Sequence, residues 1–501
     1  MTNITIDLRA RPELAFGPNP FFEVMNPHVE FDAWGRILRN YPLENHDWRQ
    51  VPLSARTALL KFRNLHFAPV RTMFEPADGL QELIRRSCMM LNPTKVENQV
   101  RVNQLLVSET MPQMRIYSSL DGAGGIWQGM TGTMKSFTAK RVLEVCVPNP
   151  VVEYGPSQVC GWIKLTQIMY LYVDFPSNGT RGGLLKRILY QVDQLIGTDY
   201  SSDNSRSANI DSLLVAVCKV LINHRVLLLV IDENQEANFE DSQWKIQFVL
   251  FYLSLMNFGI SILLLGNPLA FANLDAYSQV QRRFEVGGRH DFLPAASPKT
   301  VWWAKDLTPR MRQFSLVDDC DVLPEERDTI EFGYTSGLPG LLGLLQDASQ
   351  KNCLRRKGTA AILSREDYEA GSRSPNFTRA KKLALAIQDG DVSEYIDVPA
   401  LPEDGNAGGK AKANEDQKQE IFIPNAHGIA AIKRLLRNYK AEVTRVGNKL
   451  TADLEILRQC SPDDLRMLGV TQKMLNEARK IEDQFSRDKG AKSRGQKPEE
   501  K

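Results

Sequence analysis

The stretch Gly129-Met130-Thr131-Gly132-Thr133-Met134-Lys135-Ser136, set within GGIWQGMTGTMKSFTAKRVLE (124–144), decides how this chain is read. A phosphate-binding loop aims successive backbone N–H groups at phosphate oxygens where a helix begins. A lysine then reaches the outer phosphates, and a Ser or Thr hydroxyl ligates Mg²⁺. Gly129, Lys135 and Ser136 stand at that spacing, and Met130 to Met134 supply the intervening N–H groups. Met134 occupies the place of the last glycine. At negative φ its side chain would turn away from the loop, so the expected penalty is weaker nucleotide affinity rather than loss of binding. The segment ahead, DGAGGIW (121–127), is a poor strand by composition. Taken alone, the loop fits a nucleotide site and a plain glycine turn equally well.

Two further stretches change that balance. VLLLVIDENQEA (226–237) is a continuously apolar run, as in a strand buried on both faces, that ends in Asp232 and Glu233. Carboxylates at the end of a central strand are costly unless they act on something, and ligands bind at that edge of a parallel sheet. The expected roles are Mg²⁺ binding for Asp232 and polarisation of the attacking water for Glu233. ISILLLGNPLAF (260–271) is a second buried strand, ending in Asn267, which can orient that water or touch the γ-phosphate. An ordinary Asn-Pro turn is the other reading of Asn267. Lysine loop, acidic strand and polar strand follow one another with helical segments between, the order of an additional-strand P-loop ATPase. Beyond them, YSQVQRRFEVGG (277–288) carries Arg282 and Arg283, where an oligomeric ATPase presents an arginine to its neighbour's γ-phosphate; an exposed basic helix end reads equally well.

The rest of the chain frames this core. Its 501 residues exceed one ordinary domain, and 43% hydrophobic with 24% charged residues is a globular composition. From about 115 to 293, strand-like and helix-like segments alternate, which predicts an α/β fold with a parallel sheet covered by helices. The expected organisation is an extension over 1–110, the ATPase core over 111–300, a helical lid over 301–395, a Gly-, Ala- and charge-rich linker over 396–420, a helical module over 421–485 and a basic tail over 486–501. The formal net charge of +2 provides no global field to draw the chain onto nucleic acid. Seven scattered cysteines without CxxC spacing predict a reducing cytoplasm and neither zinc nor a disulfide framework. The greasy stretch 248–266 is broken by Asn257-Phe258-Gly259, so a buried helix and strand are expected rather than a membrane span.

Over residues 16–390 the sequence resembles the TnsC family, AAA+ regulators of heteromeric, Tn-seven-type transposons, with TniB proteins as nearer kin than other AAA+ groups. The resemblance rests on NPFFEV (19–24), YLYVDFPSNGTRGGLLKRILYQVDQLIGTDY (170–200), LLLVIDENQEA, LMNFGISILLLGNPLA and the lid start TSGLPGLLGLLQDA. It implies an AAA+ core that binds ATP and Mg²⁺, with Lys135 and Ser136 on nucleotide and metal, Asp232 and Glu233 on metal and water, and Asn267 as sensor. It also implies a ring or helical homo-oligomer on double-stranded DNA that links a target-selection protein (TniQ- or TnsD-like) to transposase subunits (TnsA- or TnsB-like). Thr180, Arg181 and Lys186 are the expected DNA contacts; a solvated basic helix face is the other reading of them. Two positions depart from the family pattern: Met134, and the lid start Leu338-Pro339, which lacks a sensor arginine.

Overall fold

A computed structural model describes residues 11–107, 122–176, 179–204, 209–234, 251–271, 282–356 and 360–388. The expected linker, carboxy-terminal module and basic tail lie outside them, as does most of the helix expected ahead of 251.

Five parallel strands form the central sheet: β1 (Gly124–Gln128), β4 (Tyr170–Asp174), β5 (Leu228–Asn234), β6 (Ser261–Gly266) and β7 (Arg289–Asp291), in the spatial order β4-β5-β6-β1-β7. A separate antiparallel pair, β2 (Val151–Tyr154) and β3 (Leu165–Ile168), sits between β1 and β4 in sequence. Residues Leu228 to Ile231 of β5 and Ile262 to Leu265 of β6 are almost wholly removed from water. Each such aliphatic side chain contributes about 1.5–3 kcal/mol of burial. The break at Asn257-Phe258-Gly259 falls as expected: 251–257 is helical, Gly259 takes φ 86°, and β6 follows. No helix among the described residues is long and apolar enough to cross a membrane.

The weak-looking segment DGAGGIW becomes β1, paired on both sides, to β6 and to β7. Its glycines are a packing requirement. A Cβ on Gly124 would lie 2.4 Å from the Phe284 ring, and one on Gly125 would lie 3.1 Å from the Gly287 carbonyl oxygen. Sequence composition scored the strand low because its side chains had been traded for close approach of neighbours.

Helices cover the sheet. Helix α1 (Phe74–Met90) brings Leu80, Leu83 and Ile84 onto it, and the Ser87 hydroxyl meets the Ser261 hydroxyl of β6 at 2.7 Å in the interior. Helix α2 (Val96–Val107) follows, and α3 (Lys135–Cys146) starts from the lysine loop. Helix α4 (Arg181–Ile196) is capped by Thr180 and stopped by Gly197 at φ 69°. Helix α5 (Ile210–Asn223) is capped by Asn209. The amino-terminal NPFFEV is structural: Asn19 accepts from the Phe21 N–H and donates to the Cys88 carbonyl, while Phe21 and Phe22 sit in the main core. A second apolar cluster is built by the region expected as a lid, around α6 (Pro324–Thr335), α7 (Pro339–Arg355), α8 (Arg365–Ser372) and α9 (Pro375–Gln388). Leu60 from the amino-terminal part and Met130 from the lysine loop both belong to that cluster.

Candidate nucleotide site

Because the five strands are parallel, their carboxyl ends share one edge. Strand β6 lies between β1 and β5, so Asn267 at its end stands between the lysine loop and the Asp232-Glu233 pair. Gly129, Thr131, Gly132, Met134, Lys135, Ser136, Asp232, Glu233 and Asn267, nine of the residues singled out in the sequence, line one cavity of about 510 Å³. That volume is within the usual range for small-molecule sites.

The loop is shaped by its own backbone. The Gly129 N–H donates to the Gly266 carbonyl at 3.1 Å, and a Cβ there would lie 2.3 Å from the Phe292 carbonyl oxygen. Gly132 takes φ 88°, and the buried Thr133 hydroxyl donates to the Met130 carbonyl at 2.8 Å. Lys135 Nζ lies 2.5 Å from the Gly129 carbonyl oxygen and 3.0 Å from that of Met130. Met130 itself is buried, turned into the lid cluster.

Met134 corrects one expectation. It adopts φ 71° and ψ 16°, the left-handed region, as the residue preceding α3. The loop needs the conformation that glycine usually supplies, and Met134 adopts it at a cost of about 1–2 kcal/mol. Its side chain is half-buried, packing against the main core and lining the cavity.

Glu233 is also left-handed, at φ 58°, where the pairing of β5 with β6 slips between Ile231 and Asn234. The slip lets two consecutive acidic residues face the cavity, which a regular strand would point to opposite faces. Asp232 is only 5% exposed. Its Oδ1 accepts the Glu233 N–H at 2.7 Å and its Oδ2 accepts the Tyr172 hydroxyl. Burial, and then the adjacent Asp232 charge, push the Tyr172 hydroxyl well above the usual phenol range, so it stays protonated and donates. Tyr172, an alternating residue of YLYVD, carried no sequence signal of this contact.

The opposite wall was also missed. The Gly340 N–H at the start of α7 donates to the Gly132 carbonyl at 2.8 Å, so the lid touches the loop through backbone where a sensor arginine is lacking. Arg63, Asn64 and His66, from the stretch read as an extension, complete the wall with Met311, Pro339 and Gly343. Arg63 Nε meets Asp347 Oδ1 of α7 at 2.8 Å, and its Nη1 donates to the Met311 carbonyl at 2.9 Å. His66 stacks on Tyr41 at 4.8 Å, and its Nε2 lies 2.9 Å from the Arg310 carbonyl oxygen. Burial lowers its pKa to about 4, so the ring is neutral at pH 7.

The remaining candidates lie elsewhere. Arg282 is exposed, whereas Arg283 Nη1 donates to Asn257 Oδ1 at 2.6 Å; neither lines the cavity. Thr180 caps α4 by accepting the Gly183 N–H at 3.0 Å, Arg181 is half-buried, and Lys186 is exposed on the same helix.

No protein-family model matches the chain, and no curated protein matches it. Among solved structures it is similar to a Walker-type ATPase of Pyrococcus abyssi (12% identity, 77% of this chain and 91% of that one, TM-score 0.34). It is also similar to the ORC1 protein of Aeropyrum pernix in complex with DNA (13%, 76% and 83%, 0.33). A third likeness is to the ORC2 protein of the same organism in ADPNP–ADP complexes (13%, 79% and 95%, 0.36). The fold stands on the strand order and the loop: an α/β, P-loop NTPase-like core with a helical lid.

The residues present suit a nucleoside triphosphate with Mg²⁺. Glycine backbone and one lysine at the head of the 12-residue α3 offer a phosphate seat. Ser136 and Asp232 would offer oxygen ligands, and no group of three or more His, Cys, Asp or Glu gathers among the described residues. A cation held by two protein oxygens, with phosphate and water completing its shell, is the habit of Mg²⁺.

Proposed function

We propose that this chain is an ATP-binding, ATP-hydrolysing AAA+-type protein that acts on DNA. The observation that carries the ATPase reading is the single cavity uniting Lys135, Ser136, Asp232, Glu233 and Asn267 at one sheet edge. Bound Mg²⁺–ATP would supply the phosphoanhydride bond and the metal's charge. Lys135 would leave the loop carbonyls for the outer phosphates, and Ser136 and Asp232 would hold the metal. Glu233 would accept a proton from the attacking water, which Asn267 would orient. Arg282, exposed where Arg283 is tied to Asn257, is the better arginine to complete a neighbour's site in an oligomer.

Regulation of transposition is the finer form of this reading, and it is supported by the sequence resemblance alone. In that form the chain would oligomerise as a ring or filament on double-stranded DNA. Lys186 and Arg181 would each add a phosphate contact that the repeat multiplies, which suits a chain of net charge +2. The transposase and a target-selection protein would be its partners. A replication initiator or helicase loader is the second reading, since the cavity serves any AAA+-type DNA machine.

The decisive experiment compares the full chain with Lys135→Ala and Glu233→Gln. Lys135→Ala should weaken ATP binding by about 100-fold, and Glu233→Gln should bind ATP normally while losing about 100-fold or more in turnover. Equal, slow turnover by Glu233→Gln and the unaltered chain would instead leave an ATP-binding scaffold. ATP-dependent coating of duplex DNA lacking any origin separates the transposition reading from a loader.

A further inference from the structure

We propose that the open edge of the central sheet, along β4, is a docking groove for an extended, acidic segment of a partner protein, which adds to the sheet as a further strand. β4 is the outermost strand in the order β4-β5-β6-β1-β7, and among the described residues only β5 pairs with it. The chain's own candidate for that place turns away. β2 pairs with β3 as far as Val151 opposite Ile168, and the Met169 N–H still reaches the Pro150 carbonyl at 2.8 Å. Carrying this ladder on beside β4 would call on Pro150 and Pro148, which have no N–H to give, so the pairing ends there. On its inner side, the Phe175 N–H donates to the Asp232 carbonyl at the end of β5 at 2.8 Å. Backbone groups of successive strand residues point to opposite sides, so Tyr170, Tyr172 and Asp174 turn their N–H and C=O groups outward. The strand offers about 16 Å of such edge.

This edge lies in a cavity of about 420 Å³, lined by β4 residues between Tyr170 and Asp174, by Lys140 and Glu144 of α3, and by Arg187 and Tyr190 of α4. Proteins usually blunt an open edge or cover it; here it is left accessible between two helices. The charges select the occupant. Lys140 and Arg187 are exposed, and neither meets a carboxylate among the described residues; the Lys140 ammonium lies 4.8 Å from the Tyr172 ring centroid. Glu144 is already engaged by Arg141 at 3.0 Å. Asp174, at the end of the strand, repels acid, so the acidic side chains belong midway along the incoming segment. Tyr190, 54% exposed, offers its ring to a neighbouring aliphatic side chain. A duplex phosphate backbone would run against Glu144 and Asp174, whereas a single extended chain can set its charges in register with the two cations and bond to β4 through its main chain.

The test pans a displayed library of random peptides on the full chain, with Lys140→Glu and Arg187→Glu for comparison. Both positions are exposed and outside the nucleotide cavity, and thermal unfolding checks that each variant folds. Peptides selected on the unaltered chain should lack proline, be rich in β-branched residues and be acidic in the middle. Synthetic copies should bind each charge-reversed variant about 10-fold more weakly. N-methylation of alternate peptide amides in one register should abolish binding, and in the other should leave it within about 2-fold, because only one edge of an added strand faces β4. Selected peptides that bind both variants as well as the unaltered chain would overturn the proposal, as would equal loss from the two methylation registers or a selection that enriches nothing. If Arg187→Glu weakens binding of duplex DNA and no selected peptide depends on Arg187, the groove is a nucleic-acid contact and the proposal falls.

Discussion

The core wall of the cleft is made of strand ends and a glycine loop from which Lys135, Asp232, Glu233 and Asn267 project. The facing wall is made of a lid helix start and a short amino-terminal segment, and its groups are largely engaged with each other: Arg63 with Asp347, His66 with Tyr41 and Arg310. One wall carries the groups proposed to do the chemistry and tolerates strain at Met134 and Glu233. The other carries fit, and its polar groups are tied down. The contrast teaches that altering the lid wall should change stability and closure before it changes bond-breaking, and three measurements bear on it.

The largest effect should come from the ion pair across the lid wall. Arg63 is 10% exposed and Asp347 25% exposed on their side chains. Asp347→Ala leaves a nearly buried guanidinium without its carboxylate, though with its carbonyl contacts. The expected loss is about 3 kcal/mol, read from the denaturant midpoint. If stability is unchanged while turnover collapses, the lid wall carries chemistry and the division between the walls fails.

Next comes acid sensitivity. His66 is held neutral in the folded chain with a pKa of about 4, below its ordinary 6.5. Between those values the unfolded chain binds the extra proton, so stability is full above about pH 6.5 and declines as pH falls toward 4. The slope is at most about 1.4 kcal/mol per pH unit. His66→Gln should flatten that part of the stability curve; an unchanged slope would assign the acid sensitivity to other groups.

The smallest effect is expected at the loop. Met134→Gly relieves the left-handed penalty of about 1–2 kcal/mol but adds the backbone freedom of glycine, worth about 0.5–1 kcal/mol, and gives up half-buried packing. The net change should stay within about 1 kcal/mol by thermal unfolding, with ATP affinity equal or up to several-fold tighter. A large loss of affinity would mean that the methionine side chain itself contacts nucleotide.

The core wall was legible in the sequence because its residues are out of place by ordinary rules: a lysine after a glycine turn, and two carboxylates closing a run of buried aliphatics. Such anomalies point to a ligand without any knowledge of tertiary contacts. The β5 and β6 strands were equally plain, since each is a strand-length apolar run closed by polar residues, the pattern of a strand covered on both faces. Strand β1 was hard to see because its glycines answer to Phe284 and Gly287, residues about 160 positions away. Tyr172, His66 and Gly340 were invisible for a related reason: each is an unremarkable residue type whose role exists only once distant segments meet. The left-handed φ of Met134 was likewise hidden, because the residue that signals such a conformation, glycine, is the one missing.

The bond from the Gly340 amide to the Gly132 carbonyl has a mechanical consequence. The lid is joined to the lysine loop by main chain, so the residue that guards the contact is Gly340 itself, where a Cβ would lie 3.0 Å from the Gly132 carbonyl oxygen. Swinging the lid outward would break that bond, and resealing would restore it. Under the proposed function, grip on the anion and position of the lid would then be one motion rather than two.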